Sequence, residues 1–227
     1  MTIVLLSGGL DSAVLAAHEA QSARVIPVYV SVGLAWEDAE VAMVERLLQA
    51  APYAGKVDPL SRVSFTMRDV YAPSHWAIRG VPPAYDTPDE DVYLAGRNLV
   101  LLTKAGVIAS KSKADRIALG PLAGNPFPDA RPEFFEAMTK ALSLGLDHAL
   151  TIATPFLTWE KDDVIKRGVE LGVPLELTLS CMNPTLAAPP AVPALHCGLC
   201  SKCRERRDAF AAAGVSDPST YAGQSPR

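Results

Sequence analysis

No stretch of this chain is apolar over the ~18 residues that a membrane-crossing helix needs, so no membrane span is expected. The first residues carry neither a basic leader nor a small-residue cleavage site, so no secretory signal is expected and the chain is read as cytoplasmic. Basic residues are outnumbered, 21 Lys and Arg against 25 Asp and Glu, for a formal net charge of −4. A broad cationic face is therefore not expected, which argues against a large nucleic-acid footprint. Neither GxGxxG nor GxxxxGK[ST] occurs, so two common phosphate-binding fingerprints are missing. Cysteine is scarce: four in 227 residues. What remains, at 49% hydrophobic residues, suits one globular domain or one domain with a small appendage.

The most informative stretch lies near the start, LLSGGLDS, Leu5 to Ser12. An apolar strand leads into two glycines, and a helical pattern follows with Leu10, Val14, Leu15 and Ala16 on one face and His18 and Glu19 on the polar side. A strand, a glycine turn and a helix N-terminus form a layout that holds anions. Glycine lets backbone N–H groups approach closely, and the helix presents its positive dipole end. Ser7 and Ser12 add hydroxyls. Asp11 would repel a bare phosphate, which favours a nucleotide carrying Mg²⁺ between them. The same residues would also serve an ordinary helix start, with Asp11 or Ser12 in its first turn.

Strand and helix patterns alternate along the chain. Strands are expected at 2–6, 24–32, 62–67, 115–120 and 149–154, with Pro27 demoting part of the second. Helices are expected at 10–21, 37–49, 98–111, 131–144, 161–171 and 202–213, the second with acidic residues in its first turn. Gly172 stands where a C-cap belongs. Prolines gather at 73–88 and 184–193, which read as loops, and 71–92 reads as a loop or lid. The alternation predicts an α/β fold, a Rossmann-like doubly wound parallel five-stranded sheet with helices on both faces. Ligands of such sheets sit beyond the carboxyl ends of the strands, where LLSGGLDS falls. The expected division is a nucleotide-binding domain at 1–179 and a tail at 180–227.

Every cysteine lies in that tail: Cys181, Cys197, Cys200 and Cys203, spaced C-x15-C-x2-C-x2-C. Disulfides do not suit a chain without a secretion signal. Four thiolates suit a closed tetrahedral structural Zn²⁺ site, with an Fe–S cluster as the alternative. His196 reads as an exposed loop residue, with substitution for a cysteine ligand as the other reading.

SGGLDS resembles the pyrophosphate loop of the PP-loop ATPases, which split ATP to AMP and pyrophosphate. Gly96-Arg97-Asn98, FPDARPEF at 127–134 and SC…HCGLCSKC at the end follow in order. Together these motifs resemble the 7-cyano-7-deazaguanine synthase family over nearly the whole chain. The resemblance implies an ATP-dependent carbon–nitrogen ligase of queuosine and archaeosine precursor synthesis. Such an enzyme adenylates 7-carboxy-7-deazaguanine and converts it with ammonia, through an amide, to the nitrile. Leu6, Ser7, Gly8, Gly9, Leu10, Asp11 and Ser12 would hold ATP with Arg97 and Lys161, the latter having a solvated helix face as its other reading. Arg97 would face phosphate or developing negative charge. Asn98, Phe127, Asp129 and Arg131 would hold the deazapurine, with Asp11, Ser12, Arg97 and Asp129 closest to the chemistry. Asp129 would accept from a guanine-like edge or help bind Mg²⁺; its rival role is capping the helix near Arg131. Phe127 is the best-placed aromatic to stack on the ring, ahead of Tyr85, Tyr93, Trp36 and Trp76. The resemblance also implies a homodimer, and no glutaminase domain is expected within these 227 residues, which leaves the ammonia source open. Two segments depart from the family pattern. The polar Tyr-Gly-Gln-Arg-His type stretch is replaced by 31–36, and an Asp-Tyr-Ser-Gly-Tyr type stretch by Gly124-Asn125-Pro126-Phe127, with Ala130 where a cysteine is usual. Both are expected on the substrate side, which leaves a related deazapurine, an amide product, or a tRNA-modifying adenylase as alternatives.

Overall fold

A computed structural model describes residues 1–187 and 192–223. The order is β1 (Thr2–Leu5), α1 (Leu10–Glu19), β2 (Val25–Ser31), α2 (Glu37–Leu47), β3 (Ser61–Ser64), α3 (Trp76–Arg79), α4 (Arg97–Ser112), β4 (Arg116–Ala118), α5 (Pro132–Leu146), β5 (Thr151–Ala153) and α6 (Lys161–Glu170). The tail adds β6 (Thr185–Leu186), β7 (Ala194–Leu195) and α7 (Ser201–Ala213). The five strands β1–β5 form one parallel sheet in the order β3-β2-β1-β4-β5.

The two-residue period of β1 builds both cores. Ile3 and Leu5 enter a cluster with Val28, Val30 and the α4 residues Leu102, Ala105 and Ala109. Val4 and Leu6 enter the opposite cluster with Val14 and Ala17 of α1 and Val164 and Ile165 of α6. Helices therefore cover both faces. Among the described residues no helix is long and apolar enough to cross a membrane.

Several local expectations are corrected. Pro27 does not weaken β2, which is a central strand from Val25 to Ser31. Val25 bonds toward residues 56 and 58, so alternate residues of β2, Pro27 included, point their amide positions to the β3 side. Pairing with β3 begins only at Val28–Ser61, so the missing N–H falls in a gap between that point and the Val25–Val57 bridge. Glu19 is buried, because Arg116 of β4 takes its carboxylate bidentately at 2.9 and 3.1 Å. The 71–92 stretch contains α3 and a 3₁₀ turn at Asp89–Val92. The 184–193 stretch contains β6, which pairs antiparallel with β7 just beyond it, while 188–191 lie outside the described residues. Gly172 is left-handed just past α6, in the role expected of it.

The tail is anchored by Arg206 of α7, 1% exposed. Its guanidinium donates to the Leu175 carbonyl and the Thr178 hydroxyl, each at 2.9 Å, and to Ser219 Oγ at 2.6 Å. His196 is not an exposed loop residue. It is 2% exposed, and its Nε2 accepts from the Ser180 N–H at 3.2 Å. Burial, with Arg206 close by, lowers its pKa to about 3, so it stays neutral as an acceptor.

Candidate active site

After β1 the chain crosses to β2 on one side, whereas β4 lies on the other, so the sheet reverses its winding between β1 and β4. A cavity of about 360 Å³ opens at the carboxyl ends of these two strands, lined by Leu5 and Ser7 beyond one and by Leu119 and Gly120 beyond the other. This is where an open α/β sheet accommodates a ligand.

The SGGLDS loop is braced by its own hydroxyls. Ser12 Oγ donates to the Gly9 carbonyl at 3.0 Å and lies 3.2 Å from Ser7 Oγ, and Gly9 N–H donates to Ser7 Oγ at 3.3 Å. Gly8 has a φ of +81°, and a Cβ there would sit 2.9 Å from Val44 and 3.2 Å from the Glu40 carbonyl. Only glycine meets both demands. Ser7, Gly9, Leu10, Asp11 and Ser12 line the cavity. Leu6 belongs to the core beneath, and Gly8 packs on α2, and neither is among the residues lining the cavity.

Asp11 directs Oδ2 to Lys161 Nζ at 3.0 Å, while its buried Oδ1 has no partner among the described residues. Lys161 is no solvated face residue. It also meets Glu205 Oε1 at 2.7 Å, and although burial opposes its charge, Asp11 and Glu205 keep its pKa above the ordinary lysine range. Burial likewise works against the Glu205 carboxylate, yet Lys161 and Lys202 hold its pKa at about 2.

On the opposite wall, Arg97 opens α4 and Asp129 follows β4. Asp129 is not a cap for α5, whose N-cap is Arg131. Its Oδ2 instead accepts from the Asn98 N–H at 3.2 Å, at the start of α4, and its carbonyl accepts from Asn98 Nδ2 at 2.8 Å. Asn98 thus spends its amide on holding Asp129. Asp129 Oδ1 and Arg97 Nε are buried without partners among the described residues. Burial raises the Asp129 pKa, against the pull of the Asn98 N–H and Arg97. Arg131 is exposed and away from the cavity lining. Phe127 stacks on Tyr93 with centroids 5.1 Å apart, Trp36 stacks on Trp76 at 5.7 Å, and all four line the cavity; Tyr85 does not. Of the 31–36 segment only Trp36 reaches the lining. The rest is folded by Glu37, which accepts from the N–H groups of Val32 and Gly33 at 2.8 and 3.0 Å.

Behind the cavity the sulfurs of Cys181, Cys197, Cys200 and Cys203 lie within 4.8 Å of one another, all buried. The N–H groups of Asn183 and Cys197 point at Cys181 Sγ, and that of Leu199 at Cys197 Sγ, at 3.2–3.3 Å. Converging sulfurs backed by N–H donors suit a metal held by thiolates.

The family model described as queuosine biosynthesis protein QueC matches residues 1–214. The chain belongs to this family. It is 34% identical over 232 residues to a 7-cyano-7-deazaguanine synthase of Anaeromyxobacter dehalogenans, covering 97% of this chain and 95% of that one. Proteins of the same name from Caldicellulosiruptor bescii and Methanoculleus marisnigri are 32% and 31% identical, each covering 96% of this chain and 96% and 97% of their own lengths.

In this QueC-family chain the cavity also holds residues that the sequence did not single out. Glu40 of α2 lines it, 7% exposed, and Tyr29 OH donates to its Oε2 at 2.7 Å. Burial pushes its carboxyl up to about 7, with Arg97 and Tyr29 opposing. A carboxyl raised on folding weakens the fold as it ionises, so this contribution is present below about pH 4.5 and lost as pH rises through about 7. The Glu40→Gln variant lacks that loss. Its stability relative to the parent chain should rise by roughly 2–3 kcal/mol between pH 5 and pH 8, read by denaturant unfolding at both values. A difference that does not change with pH would count against a strained Glu40. Lys202 of α7 also faces the cavity, and its only sequence signal was its place between Cys200 and Cys203.

Proposed function

We propose that the chain is an ATP-dependent ligase that converts 7-carboxy-7-deazaguanine and ammonia to 7-cyano-7-deazaguanine. One observation carries the reading. Three buried polar atoms without partners among the described residues, Asp11 Oδ1, Arg97 Nε and Asp129 Oδ1, belong to residues lining one cavity at the sheet's winding reversal. Unsatisfied buried groups are costly, and a ligand that pairs with them accounts for all three. The names of the full-length relatives supply the substrate class.

The N–H groups opening α1, with the Ser7 and Ser12 hydroxyls and Lys161, receive the phosphates. Asp11 Oδ1 is the residue atom suited to Mg²⁺, which would screen the triphosphate charge. The substrate carboxylate oxygen bonds to the α-phosphorus and the bond to the pyrophosphate oxygen breaks. Ammonia then adds to the activated carbonyl carbon, AMP leaves, and a proton is lost, giving the amide. The amide oxygen takes a second adenylate in the same way. Loss of AMP and the remaining N–H protons leaves the nitrile. Arg97 faces the charge that develops on oxygen, and catalysis is mainly positioning and charge stabilisation. Asp129 Oδ1 accepts from the N–H groups of the guanine edge, its direction set by Asn98, while Phe127 backed by Tyr93 covers the ring. The four cysteines would hold Zn²⁺, in a structural role because four protein sulfurs leave no open position.

The test is direct. With ATP, 7-carboxy-7-deazaguanine and ammonium, the protein should release AMP and pyrophosphate, and product mass should show the nitrile. ADP and phosphate as products would overturn the reading. AMP release that stops at the amide would retain the adenylation and reassign the product.

A further inference from the structure

The chemistry above uses Lys161 and leaves a second ammonium in the same wall unassigned. Lys202 stands in the first turn of α7, between two of the cysteines, and lines the cavity together with the SGGLDS loop. Glu205 joins the two lysines. Its Oε1 lies 2.7 Å from Lys161 Nζ and its Oε2 lies 2.6 Å from Lys202 Nζ. Lys161 in turn reaches Asp11 in the loop, at 3.0 Å. One carboxylate thus sets two ammonium groups side by side, next to the anion loop. Both lysine side chains are largely withdrawn from water, 22% and 25% exposed. The remaining partner of Lys202 is Asp89 Oδ1 at 3.1 Å, from the 3₁₀ turn at Asp89–Val92. Asp89 is the most exposed member of this chain of charges, at 46%.

Three carboxylates, Asp11, Glu205 and Asp89, surround the two ammonium groups, so the site favours an incoming anion where that anion replaces one of them. Glu205 is locked between both lysines and cannot leave, whereas Asp89 sits on a solvent-facing turn and can be exchanged. We propose that Lys202 is a phosphate-binding residue of the nucleotide site, and that Asp89 pairs with it until a nucleotide phosphate takes its place. The proposal rests on ATP being the substrate. It gives the cysteine tail a part in nucleotide binding: the metal-holding turn from Cys200 to Cys203 determines where the Lys202 charge stands, and the tail's role is not confined to stability.

The test uses the full-length, metal-loaded protein and measures the dissociation constant of a non-hydrolysable ATP analogue with Mg²⁺, alongside the KM values of ATP and of the deazapurine carboxylate. Lys202→Met should weaken the analogue and raise the ATP KM by about 10- to 100-fold, the range for losing one charge-assisted contact. The carboxylate KM, metal content and melting temperature should stay near those of the parent. Lys202→Arg should recover most of the affinity. Asp89→Asn, which removes the competitor, should tighten the analogue. Unchanged analogue affinity in Lys202→Met overturns the proposal, as does a rise confined to the carboxylate KM, which would reassign Lys202 to the other substrate. If Lys202→Met fails to retain its metal, Asp89→Asn decides, because Asp89 is remote in sequence from the cysteines, and a variant that does not tighten overturns the proposal. A parent protein that releases AMP and pyrophosphate while Lys202→Met binds normally overturns this inference alone. A parent protein that binds no nucleotide overturns the functional reading with it.

Discussion

In the Asp11→Asn variant, AMP formation should fall by two to three orders of magnitude or more while the fold stands. The size follows from what the carboxylate does. Asparagine keeps the shape and removes the charge. An unpartnered carboxylate oxygen beside a triphosphate site is repulsive unless a divalent cation lies between them, so on the proposed function Asp11 Oδ1 would anchor that cation. Removing a preorganised charge of this kind typically costs about 10²–10³ in kcat. The structural cost is small. The Asp11–Lys161 pair is largely withdrawn from water, at 27% and 22%, but the asparagine oxygen still accepts from Lys161 Nζ, so the loss should stay at about 1 kcal/mol. Lys161 keeps Glu205, so no lone ammonium is left in the wall. A loss of about 1 kcal/mol lowers Tm by roughly 2–4 °C for a chain of this length. Product quantification and a melting curve check both halves. Turnover near that of the parent would remove Asp11 from the mechanism.

The second large effect is on stability. Cys200→Ser should lose the bound metal and lower the melting temperature by roughly 8–16 °C, taking about 4 kcal/mol as the loss. Cys200 and Cys203 are 0% exposed, so the sulfurs are core atoms in addition to the ligand role proposed for them. Without the metal, four buried thiols face one another, and 197–203 keep only contacts such as those of the Gly198 carbonyl with Arg207 and of Lys202 with Glu205 and Asp89. A Cys-rich zinc site contributes its binding energy directly to folding. Arg206 and the His196–Ser180 contact fasten the flanking chain, so α7 should loosen and not detach at once. Metal analysis with melting curves in the presence and absence of a chelator reads this. A chelator that strips metal without lowering Tm would show the cluster to be dispensable for stability.

The features legible in the sequence were those whose cause is local. LLSGGLDS combines an apolar run, two glycines and a helical period within ten residues, and the structure places it at the carboxyl end of β1. The cysteine cluster was legible because few tasks require four thiols in so short a span. What was missed is set by partners distant in sequence. Glu40 reads as an ordinary acidic residue in the first turn of α2; only Tyr29 from β2 and Arg97 from α4 show it to be a buried carboxyl on the cavity. Glu205 reads as a surface helix residue until Lys161 arrives from 44 positions earlier. Pro27 weighs against a strand in the sequence because its residue type is visible there and the side to which its amide position points is not. Arg131, in the same FPDARPEF motif as Asp129, is exposed at the N-cap of α5 while Asp129 lines the cavity.

The sheet order carries one more consequence. Its outer strands, β3 and β5, span four and three residues. Each leaves only a short row of unpaired main-chain groups, too little to template another strand. Joining copies by extending the sheet is therefore disfavoured, and any self-association falls to side chains on the helical faces, where residue choice and not backbone geometry selects the partner.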